Sequence, residues 1–389
     1  MDIIKTLVAV TLAVLLVGQA PPSEESDTTT ATGQPNGGES TTPQIQIAIL
    51  LDTSGSMSGL IEQAKTQLWK IVNEFVNVSK DGKRPVLQIA LFEYGNDGLK
   101  SSDGWIRMIL PLTDDLDKVS QELFALTTNG GTEHCGQVIG MAVEKLEWSA
   151  AEDDYKVIFI AGNEPFTQGS INYADACKAA IEKGIVVNTI HCGSEAEGIR
   201  GKWRDGALLA EGSYMWIDHN RAIVQFNAPQ DKEIARLSVD LNATYVPYGD
   251  RGAAGAANQS AQDMNAAAAS PGSVAERAVT KASANYFNAA WDLIDAVNTD
   301  ALRLEDVKPE DLPEAMQKMT LDEQRKHIAT VTEQRATIQK KINELNEERK
   351  ALIAEERATL ADSGEADTLD EAMQDVLHEQ AEARSFELR

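Results

Sequence analysis

From Gln44 to Leu51 the chain reads Gln-Ile-Gln-Ile-Ala-Ile-Leu-Leu, and it then empties into Asp52-Thr53-Ser54-Gly55-Ser56. A near-continuous apolar run of this length describes a strand covered on both faces, which is the condition of a parallel sheet held between helices. The next segment supplies such a helix. Leu60, Ile61, Ala64, Leu68, Ile71, Val72, Phe75 and Val76 recur at three-and-four spacing, with Lys65, Lys70 and Glu74 between them. The polar loop joining the two is therefore at a strand's carboxyl end, where open α/β sheets bind their ligands.

Further strands and helices follow in alternation. Val86 to Tyr94 is apolar enough for a second strand, and Trp105 to Leu112, with its alternation and Pro111, predicts an antiparallel edge strand reached through the Asn96-Asp97-Gly98 turn. Leu116, Val119, Leu123 and Phe124 predict a short helix, and Val138, Met141, Ala142 and Leu146 another. Tyr155 to Ile160, Gly184 to Ile190 and Glu211 to Ile217 complete the strand set. The expected fold is α/β, a doubly wound and mostly parallel sheet with an antiparallel edge strand over residues 44–226, followed by an α-helical C-terminal region.

One carboxylate and two hydroxyls at two-residue spacing, Asp52, Ser54 and Ser56, suit a hard divalent cation. Mg²⁺ takes small oxygen ligands and keeps several waters, so a tight turn can hold it without a full protein cage. The same residue types also cap helices, and a serine-rich cap with no ion is the competing reading.

Asp-x-Ser-x-Ser after a first strand resembles the metal-ion-dependent adhesion motif of von Willebrand factor type A domains. The resemblance implies a Mg²⁺ (or Mn²⁺ or Ca²⁺) site completed by a threonine from a later loop, and Thr132 in Asn129-Gly130-Gly131-Thr132-Glu133 matches it. It also implies an aspartate at the end of the fourth strand. There the chain departs from the pattern, running Ile160-Ala161-Gly162-Asn163-Glu164 with Gly162 at about the acidic position. Asn163 and Glu164 are the candidates for a water-mediated substitute. The metal set implied is Asp52, Ser54, Ser56 and Thr132.

The chain of 389 residues carries a formal net charge of -26, which repels phosphate backbones and anionic headgroups and excludes nucleic acid as an expected partner. Residues 1–20 hold a single lysine and then an apolar stretch too short to span a bilayer comfortably, so a secretion signal or an uncleaved N-terminal anchor is expected. Residues 21–43, rich in Ser, Thr, Gly and Pro, suit a flexible tether. Any membrane attachment would then run through the N-terminus alone, and the expected location is extracytoplasmic. The tripeptide His-Cys-Gly occurs at 134–136 and again at 191–193. A Cys135–Cys192 disulfide, a His/Cys zinc site and two buried thiols are all open.

Two C-terminal regions are expected: a helical extension packed on the domain over 227–300, and a helical tail over 301–389. Ser273 with Glu276, and Thr320 with Glu323, read as capping boxes. The aromatics Tyr286, Phe287 and Trp291 imply docking. Val331, Ile338, Leu345 and Leu352 recur every seven residues, while the companion set Ile328, Arg335, Ile342 and Arg349 alternates apolar with charged, leaving a coiled coil, a helical hairpin or an exposed amphipathic helix open.

The function implied by the resemblance is an exported, metal-dependent protein-binding protein of the adhesion or scaffold type, the cation bridging to an Asp or Glu carboxylate of a partner. The alternative is a structural envelope protein with a degenerate metal site that assembles through its C-terminal helices. No Gly-x-Ser-x-Gly elbow, His-Glu-x-x-His helix or phosphate-binding glycine loop is present, so no enzyme activity is expected.

Overall fold

The computed structural model describes residues 42–389, apart from Val76 and residues 221–225, 361–368 and 388–389. The leader expected over 1–20 and nearly all of the tether expected over 21–43 lie outside the described residues.

Six strands form one sheet: β1 (Gln44–Asp52), β2 (Val86–Tyr94), β3 (Ile106–Thr113), β4 (Tyr155–Gly162), β5 (Val186–Cys192) and β6 (Tyr214–Ile217). Their order is β3-β2-β1-β4-β5-β6. All neighbours run parallel except β3, which pairs antiparallel with β2 at the edge. The doubly wound sheet with one antiparallel edge strand is thus the observed architecture. β1 is the central strand at which the order reverses, which places the loop after Asp52 at the topological switch point.

Helices α1 (Ser58–Asn73) and α2 (Leu116–Phe124) cover one face, and α3 (Cys135–Lys145), α4 (Tyr173–Glu182), α5 (Glu195–Arg200) and α6 (Trp203–Leu209) lie on the other side of the sheet or at its far edge. The double cover explains the apolar run. Ile45, Ile47 and Leu51 of β1 join the α1 side, while Ala48 and Leu50 join the α3 side, so no position of the strand is free to be polar on account of solvent.

Beyond the sheet come α7 (Asp231–Asn242), α8 (Gly249–Ala269), α9 (Pro271–Ala282), α10 (Leu293–Asn298), α11 (Glu314–Gln317), α12 (Leu321–Leu360) and α13 (Leu369–Glu382). Buried charge ties this region to the sheet domain. Arg277 of α9 reaches Asp117 of α2 at 2.7 Å and Asp263 of α8 at 2.6 Å, and its guanidinium lies 4.5 Å from the Trp69 ring of α1. Asn73 of α1 donates to Glu276, and the Tyr286 hydroxyl donates to Asp117. Tyr286 and Trp291 are buried as expected of docking aromatics, whereas Phe287 is exposed.

Three expectations for the C-terminal region change. The cap of α9 is Ser270, whose side chain accepts the Ser273 N–H, and Glu276 is instead drawn to Asn73 and Arg349. The Thr320–Glu323 box does form. α12 is no coiled-coil strand: its companion seam of Ile328, Arg335, Ile342 and Arg349 is turned inward onto the same chain. The two arginines that interrupt the heptad are consumed there, Arg335 by Asp292 (2.7 Å) and Asp295 (2.8 Å), and Arg349 by Asp231 and Glu276 (2.6 Å each).

Nor does the chain end as a tail standing off the domain. α13 lays Leu369, Met373, Val376 and Leu377 into the core beneath the sheet beside α1, and Glu387 pairs through its backbone with Ser79. Gln380 exchanges amide hydrogen bonds with Asn188 of β5 and accepts from the Tyr155 hydroxyl. The reason is elementary: one face of α1 and the neighbouring strands is apolar, and the last helix is the segment that covers it.

Candidate metal site

β1 ends at Asp52, which is fully buried. Its Oδ1 accepts the backbone N–H of Ser54 at 2.7 Å, so the carboxylate organises the turn that follows it. The other oxygen, Oδ2, is buried and has no hydrogen-bond partner. Burial raises the Asp52 carboxyl to about 7, against the opposing effect of the Ser54 N–H and with Glu133 adding to the rise.

The serines are not spent on capping. Neither the short 3₁₀ turn Gly55–Met57 nor α1 has a side-chain cap, and the Ser54 and Ser56 hydroxyls instead face each other at 3.4 Å. Ser54 is buried and Ser56 exposed, so the pair runs from the strand end toward solvent. That spacing suits two neighbouring ligands of one ion, since an octahedron with bonds of about 2.1–2.4 Å has edges of about 3.0–3.4 Å.

The Thr132 loop is stitched to this turn by backbone. Gly55 N–H donates to Gly130 O, and Asn129 N–H donates to Thr53 O, each at 3.0 Å. A Cβ on Gly55 would stand 3.4 Å from the Gly130 nitrogen, so the two loops touch. Thr132 is half-buried two residues on. Two distant stretches of chain therefore converge on the end of β1, through Asn129 and Gly130.

Gly162 has a physical explanation. A Cβ there would stand 2.4 Å from the Tyr94 hydroxyl and 3.0 Å from Asp52 Oδ2. Tyr94, fully buried at the end of β2, sends its hydroxyl across to the Ala161 carbonyl at 2.9 Å and fills the space a side chain at 162 would need. Asn163, the next residue, reaches the serine pair: its Nδ2 donates to Ser56 Oγ at 3.2 Å, and its Oδ1 is buried without a partner.

Glu133 is the residue the sequence reading passed over. It is buried, next to Thr132, and lies against Asp52 and Ser54. Burial pushes its carboxyl up, helped by the charges of Glu164 and Asp97. Adjacency to Thr132 was the only signal in the sequence, and side-chain direction in a glycine-rich loop cannot be read from spacing. Glu164 lies at the rim, where it accepts from Gln168.

The cysteines form no disulfide: Cys135, Cys177 and Cys192 are free and buried, and among the described residues no three His, Cys, Asp or Glu side chains cluster as a zinc site would. The Cys135 thiol points at the Tyr94 hydroxyl, 3.9 Å away. His134 packs edge-on to Trp105 and His191 against Trp203.

Residues 46–198 match the family model of the von Willebrand factor type A domain. The fold is similar to that of BatB from Bacteroides thetaiotaomicron, at 19% identity over 45% of this chain and 90% of that one, with a TM-score of 0.35. It is likewise similar to the SpRpn10 VWA domain (16% identity, 47% of this chain and all of that one, TM-score 0.35). The pilus adhesin SpaC from Lactobacillus rhamnosus GG aligns at 12% identity over 46% of this chain and 28% of that one, TM-score 0.34. No curated protein matches the chain.

Proposed function

We propose that this chain is a metal-dependent protein-binding protein, an adhesion or scaffold component, in which Asp52, Ser54, Ser56 and Thr132 hold one divalent cation (Mg²⁺, or Mn²⁺ or Ca²⁺). One observation carries the reading: a fully buried carboxylate with an unpartnered oxygen lies beneath two serine hydroxyls that cap nothing. A buried, unanswered acceptor costs on the order of 1–3 kcal/mol, and a cation answers it. Asn163 Oδ1, on a side chain whose Nδ2 donates to Ser56, is also unanswered.

When bound, a divalent cation supplies an electrophilic position that takes a carboxylate oxygen from outside. Asp52 anchors the ion's charge from below, and the serine pair and the Thr132 loop orient the open side toward solvent, where exposed Ser56 marks the way out. The partner on this reading is a protein presenting Asp or Glu. Extracytoplasmic placement belongs to the same proposal and rests on the apolar segment and polar tether of residues 1–43. No catalytic role is assigned.

The alternative of envelope assembly through C-terminal helices finds less support, because the α12 seam and the α13 face are both used within the chain. Pull-down from envelope extract with and without EDTA tests the proposal, with Asp52→Ala as control. Loss of captured protein in both treatments is expected, and identical recovery in all arms would overturn it.

A further inference from the structure

The two buried acids of the loop edge face one another. Asp52 is fully buried and Glu133 is 6% exposed. A Cβ placed on Gly95 would stand 2.8 Å from Glu133 Cγ and 2.9 Å from Asp52 Oδ1, so a space the size of one methyl group separates the side chains. Glycine keeps that space clear. Gly95 has φ 78°, and a Cβ on Gly131 would stand 2.6 Å from Glu133 Oε1.

Nothing basic answers the pair. Among the described ion pairs none includes Asp52 or Glu133, although buried acids elsewhere in the chain, such as Asp117 and Asp292, each meet an arginine. The charges that bear on Glu133 are those of other acids, Glu164 and Asp97. Two buried carboxylates set against each other repel, and only a proton or a cation relieves them. Asp52 Oδ2 makes no hydrogen bond, to Glu133 or to any other group, so no proton is shared between the two acids through that oxygen.

We propose that Glu133 belongs to the ligand set of this site and supplies the second negative charge, from the Thr132 loop, that the strand end at Gly162 has no room to offer. The inference rests on the reading that a divalent cation occupies the Asp52 site. With Asp52 and Glu133 both charged, the protein matches the two positive charges of the ion. Retention of the ion is strengthened and its pull on an outside carboxylate is weakened, so Glu133 tunes the site toward holding metal and away from indiscriminate capture of acids.

Calorimetric titration of the full chain with Mn²⁺ alone, on the parent, Glu133→Gln and Asp52→Asn, tests this. The expected result is a loss of about tenfold or more in Mn²⁺ affinity for E133Q, with acetate binding to the metal-loaded E133Q more tightly than to the loaded parent. E133Q within twofold of the parent, while D52N loses binding, would overturn the role of Glu133 and leave the ion reading standing. D52N binding Mn²⁺ like the parent would remove the ion reading and this inference together. In EDTA, E133Q is expected to melt no lower than the parent, since a like-charge contact is removed; a lower melting temperature would make Glu133 a packing residue instead.

Discussion

Asp52 and Asp292 are both fully buried carboxylates, and their surroundings are opposite. Asp292 accepts the backbone N–H of Val246 and of Asp295 and meets Arg335 at 2.7 Å, and Arg335 in turn donates to Thr244 and stacks 4.3 Å from the Tyr245 ring. Asp52 accepts one strong backbone bond, leaves an oxygen unanswered and faces Glu133. Asp292 thus has its cation within the chain, and the result is architecture. At the loop edge the cation is missing from the amino acids, and that deficit is what makes the site a candidate for binding.

The comparison can be broken most severely at Arg335. Arg335→Met leaves Asp292 and Asp295 buried without their counter-charge and is expected to cost about 3–5 kcal/mol, read as a lower urea midpoint. Asp52→Asn should do the reverse, leaving the metal-free protein as stable as the parent while Mg²⁺ affinity falls about a hundredfold or more by calorimetry. In the parent, Mg²⁺ at about a hundred times its Kd should add about 2.7 kcal/mol of stability, and in D52N at the same concentration about 0.4 kcal/mol or less. Equal stabilisation of both would erase the distinction drawn between the two carboxylates.

A smaller effect sharpens the account of Gly162. Gly162→Ala should destabilise by about 1–3 kcal/mol through overpacking against Tyr94, and Tyr94→Phe in the same chain should recover part of that loss. No recovery would mean the phenol is not what excludes a side chain. Smallest per group is the alkaline response. Burial holds Tyr94, Tyr245 and Tyr286 well above the ordinary phenol value, so above about pH 10 the unfolded chain releases protons that the folded chain keeps. Stability from each is present below that pH and is lost above it, by about 0.7 kcal/mol per group between about pH 9.5 and 10.5, which urea midpoints over that range would report.

Much of the sheet domain was legible because its signals are local. The run Ile45–Leu51, the spacing of Leu60 to Val72 and the Asp52-Ser54-Ser56 triplet each lie within a few residues of one another, and burial on both faces of β1 writes itself directly into composition. The helical region was legible as helices but not as a packing. Arg335 and Arg349 looked like flaws in a heptad, since their partners Asp292, Asp295, Asp231 and Glu276 lie 40 to 118 residues away. The return of α13 to the sheet was equally hidden, an apolar face being able to mate with any other of matching shape.

The sequence by itself determined the strand, the turn after it and the residue types able to meet a hard cation, because these follow from periodicity and from chemistry carried within single segments. Only the tertiary structure decided that Tyr94 occupies the space at Gly162, that Glu133 rather than a strand-end acid faces Asp52, and that the heptad arginines are internal. Those outcomes depend on which side chains from remote segments share a few ångströms of space, and excluded volume and charge pairing act on positions that a one-dimensional pattern does not contain.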